Sequence, residues 1–120
     1  MKKILLVEDT ESFVKSINEI FSNDYEMLNA INGSEALQII ENNKPDLILL
    51  DLNLSGMNGI EFLNNLNEKY GQGNIPVLVT TNMTDDDKVA EAVVLGVRGY
   101  VVKSDASLDS IKTQVDSILV

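Results

Sequence analysis

Leu47-Ile48-Leu49-Leu50, closed by Asp51, is the stretch that decides the fold. Four apolar residues in a row, ended abruptly by an acid, read as a short strand buried on both faces, and such strands belong to parallel sheets covered by helices on each side. Working outward, Ile4 to Val7, Met27 to Ile31, Val77 to Val79 and Tyr100 to Val102 read as four further strands. Phe13, Val14, Ile17, Ile20 and Phe21 fall at helical spacing after the first strand, and Leu108, Ile111, Val115, Ile118 and Leu119 do so after the last. Asn32 with Glu35, Asn58 with Glu61 and Thr84 with Asp87 have the spacing of helix-capping pairs, and Gly96 suits a helix stop. The pattern is strand then helix, five times. Crossover helices make the strands parallel, so the expected fold is a doubly wound α/β sandwich of three layers. The mixed stretch Met27 to Ile31 suits a sheet edge.

Composition narrows the function. The 120 residues match one domain, 1–120, and 44% apolar with 23% charged residues is the balance of a soluble globular chain. Nine basic against nineteen acidic residues give a net charge of −10, a field that repels nucleic acid and anionic membrane and draws cations or basic partners. With no Cys and no His, thiolate and imidazole metal sites and Ser-His or Cys-His catalytic pairs are excluded. Any metal is held by oxygen. Lys2 and Lys3 precede an apolar run of only four residues, too short for a signal peptide or a membrane span, which leads us to expect a cytoplasmic protein.

In open parallel sheets ligands bind beyond the carboxyl ends of the strands. Glu8 and Asp9 follow the first strand, Asp51 the third, Thr80 and Thr81 the fourth, and Lys103 the fifth. Each has an ordinary reading: Asp9 as a cap of the first helix, Glu8 and Asp51 as solvated loop acids, the threonines as strand residues, Lys103 as a surface charge. Together they fit those readings poorly, because like charges on one rim destabilise a fold unless a cation compensates. Three carboxylates form a hard oxygen site. Mg²⁺ suits it, since it takes few protein ligands and keeps waters that a phosphate can replace, and a nearby Lys and hydroxyl then complete a phosphoryl site.

Five segments carry a resemblance over essentially the whole chain: Ile4 to Asp9, Pro45 to Asp51, Leu54 to Gly59, Ile75 to Thr81 and Gly96 to Lys103. In these the sequence resembles the response-regulator receiver domains of two-component phosphorelays. The resemblance implies the flavodoxin-like strand order 2-1-3-4-5. It also implies Asp51 as the phosphoacceptor, Mg²⁺ on Glu8, Asp9, Asp51 and the Asn53 backbone carbonyl, and Lys103 on the phosphoryl group. The resemblance gives Thr81 rather than Thr80 the hydroxyl role, because it lies five residues after Pro76, where the family's Ser or Thr usually falls, and strand alternation lets only one of the two face the site. Tyr100 stands where the family carries an aromatic switch, and Asn53 and Met83 where side chains border the path of a hydrolytic water. The implied partners are a histidine kinase or histidine-phosphotransfer protein as donor, and a downstream protein met by the fourth helix, fifth strand and fifth helix. Asp51 is then a stoichiometric acceptor, not an enzyme acting on an external substrate.

Ser55, Asn58, Asn82 and Ser104 depart from the family pattern, where Pro, Asp, a small residue and Pro are usual. Ser104 leaves the Lys103–Ser104 peptide with no proline to favour a cis bond. Three other functions compete. A flavin module would need Gly, Ser or Thr at the first loop to hold a phosphate, where Glu8-Asp9-Thr10-Glu11 offers carboxylates. An aspartyl phosphatase would need an acid where Asn53 stands. A degenerate receiver binding a partner constitutively would lack part of the acid, hydroxyl and Lys set, which here is complete.

Overall fold

The computed structural model describes residues 1–82 and 86–120. Five strands, β1 (Lys3–Val7), β2 (Glu26–Ala30), β3 (Leu47–Leu50), β4 (Val77–Thr81) and β5 (Gly99–Val102), alternate with five helices. The helices are α1 (Glu11–Phe21), α2 (Gly33–Asn42), α3 (Gly59–Tyr70), α4 (Asp86–Val94) and α5 (Leu108–Leu119). All paired strands are parallel, in the order β2-β1-β3-β4-β5. The expected fold and the edge position of β2 are both found.

Side-chain alternation divides the interior into two layers. Leu5, Val7, Ile48, Leu50, Val77 and Val79 pack with Ala36, Ile40, Phe62, Leu63 and Leu66 of α2 and α3. Ile4, Leu6, Leu47, Leu49, Leu78 and Val101 pack with Ile17 and Phe21 of α1 and Ile111 and Val115 of α5. Every residue of β3 is buried, which is why its run is uninterrupted by polar residues.

Two capping pairs are present as expected: Asn32 accepts from the Glu35 N–H at 2.8 Å and Asn58 from the Glu61 N–H at 2.9 Å. The third, Thr84 with Asp87, lies outside the described residues. Gly96, at φ 92°, ends α4: its N–H donates to Val93 and that of Val97 to Ala92, the paired bonds of a left-handed helix stop. Gly59 opens α3 where a Cβ would lie 2.5 Å from the Leu52 Cα, so only glycine lets the helix start this close to the loop after β3.

Four strands differ from expectation at their boundaries, β1 beginning one residue earlier, at Lys3. β2 begins at Glu26 and ends at Ala30, leaving Ile31 60% exposed beyond it. β5 starts one residue earlier, at Gly99, paired with Leu78. β4 continues through Thr80 and Thr81, which pair with Val101 and Val102, so both threonines belong to the strand and do not follow it. There is no cis peptide bond among the described residues, Lys103–Ser104 included. Among these residues no helix is long and apolar enough to cross a membrane.

Candidate functional site

Parallel strands bring the ends of β1, β3, β4 and β5 to one rim. Backbone bonds fix their offsets: the Glu8 N–H donates to Ala30, that of Asp51 to Val7, and that of Lys103 to Thr81 at 2.7 Å. The side chains of Glu8, Asp9 and Asp51 meet there, each offering an oxygen within 4.8 Å of the others. The solvated-loop reading fails for two of them, since Glu8 is 1% and Asp51 6% exposed. Asp9 is exposed. It does not cap α1 either, because the N-cap is Thr10, which makes no side-chain capping bond.

Lys103 is no surface charge. Its side chain is 8% exposed, and its ammonium pairs with Glu8 Oε1 and lies 3.5 Å from Asp51 Oδ2. Buried ions require such partners, because an unpaired charge in the interior is strongly destabilising. The remaining carboxylate oxygens are also engaged: Glu8 Oε2 accepts the Asp9 N–H at 3.1 Å, and Asp51 Oδ1 accepts the Asn53 N–H at 3.0 Å. Burial, reinforced by Asp51 and opposed by Lys103, pushes the Glu8 carboxyl up to about 7. The donor set, oxygen only and with a surplus of negative charge, fits a hard divalent cation.

Alternation resolves the threonines. Thr81 continues the Val77 and Val79 side of β4, and Thr80 continues the Leu78 side, toward α1 and α5. Both are fully buried. The Thr80 hydroxyl finds no hydrogen-bond partner among the described residues. Tyr100, expected as an aromatic switch, is 50% exposed. Asn53 is exposed beside Asp51, while Met83 lies outside the described residues.

Two contacts escaped the sequence reading. The Ser55 hydroxyl donates to Asp9 Oδ2 at 3.1 Å, tying the loop after β3 to the loop after β1. Ser55 signals itself only as a departure from a family pattern. Phe13 presents its ring to Lys103, whose Nζ lies 4.2 Å from the ring centroid. In the sequence Phe13 is one more apolar residue at helical spacing, and nothing local marks it as a neighbour of a residue near the other end of the chain.

Comparison with known proteins agrees with this geometry. Residues 4–116 match the family model described as the response regulator receiver domain. The chain is 34% identical over 119 residues to Sporulation initiation phosphotransferase F of Bacillus subtilis (strain 168), covering 98% of this chain and 94% of that one. It is 36% identical over 112 residues to Nitrate/nitrite response regulator protein NarL of Escherichia coli (strain K12), covering 91% of this chain but only 51% of NarL. Several of the curated relatives it matches are, like NarL, about twice the length it spans. Among solved structures, the Mn(2+)-bound form of response regulator Rcp1 superposes with a TM-score of 0.83 at 30% identity, covering 98% of this chain and 91% of that one.

Proposed function

Because this chain belongs to the response regulator receiver family, a family of phosphoryl-transfer signalling modules, we propose that Asp51 is its phosphoacceptor. The observation that carries this reading is the Asp51 carboxylate itself, buried at the end of the central strand β3 and 3.5 Å from the ammonium of Lys103. Glu8, Asp9 and Asp51, with the Asn53 carbonyl, would hold Mg²⁺, and the existence of a Mn(2+)-bound form of Rcp1 supports a divalent ion in this fold. A bound divalent ion supplies neutralising charge for the phosphoryl oxygens.

The chain's own residues do the rest. Asp51 Oδ attacks phosphorus as the P–N bond of a phosphohistidine breaks, and the departing imidazole takes up a proton. Lys103 turns its ammonium to the phosphoryl oxygens, and Thr81 offers its hydroxyl to one of them. The donor histidine belongs to another protein, a histidine kinase or a histidine-phosphotransfer protein, since this chain has none. Asp51 is a stoichiometric acceptor. Its phosphorylation alters the surface of α4, β5 and α5, where Tyr100 stands exposed, and with it the affinity for a downstream protein. The net charge of −10 speaks against direct contact with nucleic acid. Residues 1–120 act as one receiver unit.

Incubation with acetyl phosphate and Mg²⁺ followed by intact mass tests this. One added phosphoryl group is expected in the wild type and none in Asp51→Asn. Labelling that survives in the variant, or that proceeds equally well in chelator, overturns the assignment.

A further inference from the structure

Lys103 has to hold one position among three acids, and ion pairing alone does not fix it. Its ammonium carries three N–H donors; one side meets Glu8, another lies 3.5 Å from Asp51. A side chain only 8% exposed leaves little room for water on the remaining side. What stands there is the ring of Phe13, its centroid 4.2 Å from Nζ, well inside the range of about 6 Å over which an aromatic face attracts a cation. Phe13 belongs to the first turn of α1, is half-buried, and is anchored in the layer formed by Ile17, Phe21, Ile111 and Val115. Its backbone is thus fixed by α1 packing and does not depend on the loops that carry the acids.

Resting on the phosphoacceptor reading above, we propose that Phe13 is a positioning residue for phosphoryl transfer, holding the Lys103 ammonium over the site through its ring face. The ring suits this task better than another acid or an aliphatic chain. A fourth carboxylate would bind the ammonium more tightly than a phosphoryl group could overcome, and would compete for any cation at the rim. An aliphatic side chain would exclude water equally well but exert no pull on the charge. The ring attracts without a hydrogen bond of fixed direction, so the ammonium can turn from Glu8 toward a phosphoryl oxygen while remaining on the same face.

The test compares Phe13→Leu, which keeps apolar bulk without the ring, with Phe13→Tyr and Phe13→Trp, which keep it. Phosphorylation of the full chain by acetyl phosphate in saturating Mg²⁺ is followed by intact mass. Mg²⁺ affinity is measured separately by calorimetry, and the Lys103 εCH₂ resonances are recorded by NMR without metal. Loss of a cation–ring contact at a desolvated site corresponds to about a three- to thirtyfold slower rate in Phe13→Leu. Magnesium affinity should change less than twofold, and the ring-retaining variants should recover most of the lost rate. In the wild type the Lys103 εCH₂ protons should show the upfield shift of nuclei above a ring face, lost in Phe13→Leu. A wild-type rate in Phe13→Leu, an equal loss in all three variants, or a parallel loss of Mg²⁺ affinity would each overturn the proposal. An absent upfield shift in the wild type does so even if a variant fails to fold. If wild-type Asp51 takes no phosphoryl group, the phosphoacceptor reading fails by itself, and the NMR shift still decides whether Phe13 holds Lys103.

Discussion

Replacing Thr80 with Val should make the protein more stable, an unusual direction for a change in a fully buried strand residue. Thr80 is completely buried and its hydroxyl has no partner among the described residues. On its side of β4 it follows Leu78, which packs with Val101, Ile111 and Val115, an apolar layer with little to offer a donor. Burying a hydroxyl without a partner costs about 1–3 kcal/mol, and the Val methyl fills nearly the same volume. The gain should therefore be about 1–2 kcal/mol. At an unfolding entropy of roughly 2.1 cal/mol/K per residue, the 120-residue chain should melt about 4 °C higher for each kcal/mol.

Thermal and urea unfolding of metal-free protein, followed by circular dichroism, measures this, and Thr80→Ser supplies the converse. Serine keeps the hydroxyl and removes the methyl, so it should be the least stable of the three. The reasoning fails if Thr80→Val is neutral or destabilising, since that means the hydroxyl is satisfied; Ser matching Thr would mean that the methyl is not packed. The same variant separates the two threonines functionally: Thr80→Val should accept phosphate at the wild-type rate, whereas Thr81→Val should be slower.

Asp9 is exposed, and among the described residues its carboxylate accepts only from the Ser55 hydroxyl, so Asp9→Asn relieves repulsion without leaving an ammonium unpaired. Its metal-free melting point should rise by about 2–4 °C while Mg²⁺ affinity falls, and a lower melting point would count against the acidic cluster; for the wild type, Mg²⁺ at ten times its Kd should add about 1.4 kcal/mol. The Tyr25 hydroxyl donates to Asp116 at 2.6 Å, and burial, aided by that bond, pushes the phenol up to about 12. A raised value means stability that is complete below the ordinary phenol range near 10 and is lost as pH climbs toward 12, so Tyr25→Phe should flatten the alkaline fall in melting temperature; unchanged slopes would refute it. Tyr100→Ala should cost little stability and leave phosphorylation intact while uncoupling partner affinity from it, and a full affinity response in the variant would reduce Tyr100 to a surface residue. Asn53→Met should lengthen the phosphorylated state and Met83→Gln shorten it, followed as loss of the added mass, with identical decay in all three proteins removing both side chains from the water's path.

What the sequence made legible is what local periodicity encodes. The unbroken run of β3, the mixed edge of β2 and two Asn-Glu capping pairs each depend on residues within a few positions of one another, and each is found. The errors fall where a partner strand decides. β4 runs on through two threonines because Val101 and Val102 extend the ladder beside them, a pairing invisible in the stretch itself. The exposure of Tyr100 on the edge strand β5 is likewise set by the sheet order and not by its residue type. The convergence of Glu8, Asp9, Asp51 and Lys103 on one rim was legible from the strand ends, and their electrostatics were not. Nothing in the sequence shows that Glu8 is buried with Lys103, 95 residues later, paired to it.

That long-range pairing explains why the site is both tolerated and poised. Three carboxylates face one ammonium, so when all are ionised two negative charges stay uncompensated, the charge of one divalent cation. Lys103 spans Glu8 and Asp51 and cannot neutralise Asp9 as well, which is left to solvent and the Ser55 hydroxyl. A second lysine would remove the surplus and stabilise the fold, but would also occupy the space that a cation and a phosphoryl group need. On the phosphoacceptor proposal, that surplus would tie stability to cation binding and leave Lys103, among the described residues, to exchange a carboxylate for a phosphoryl oxygen. The Phe13 ring, with its centroid 4.2 Å from that ammonium, would on the same proposal hold it in place without adding charge.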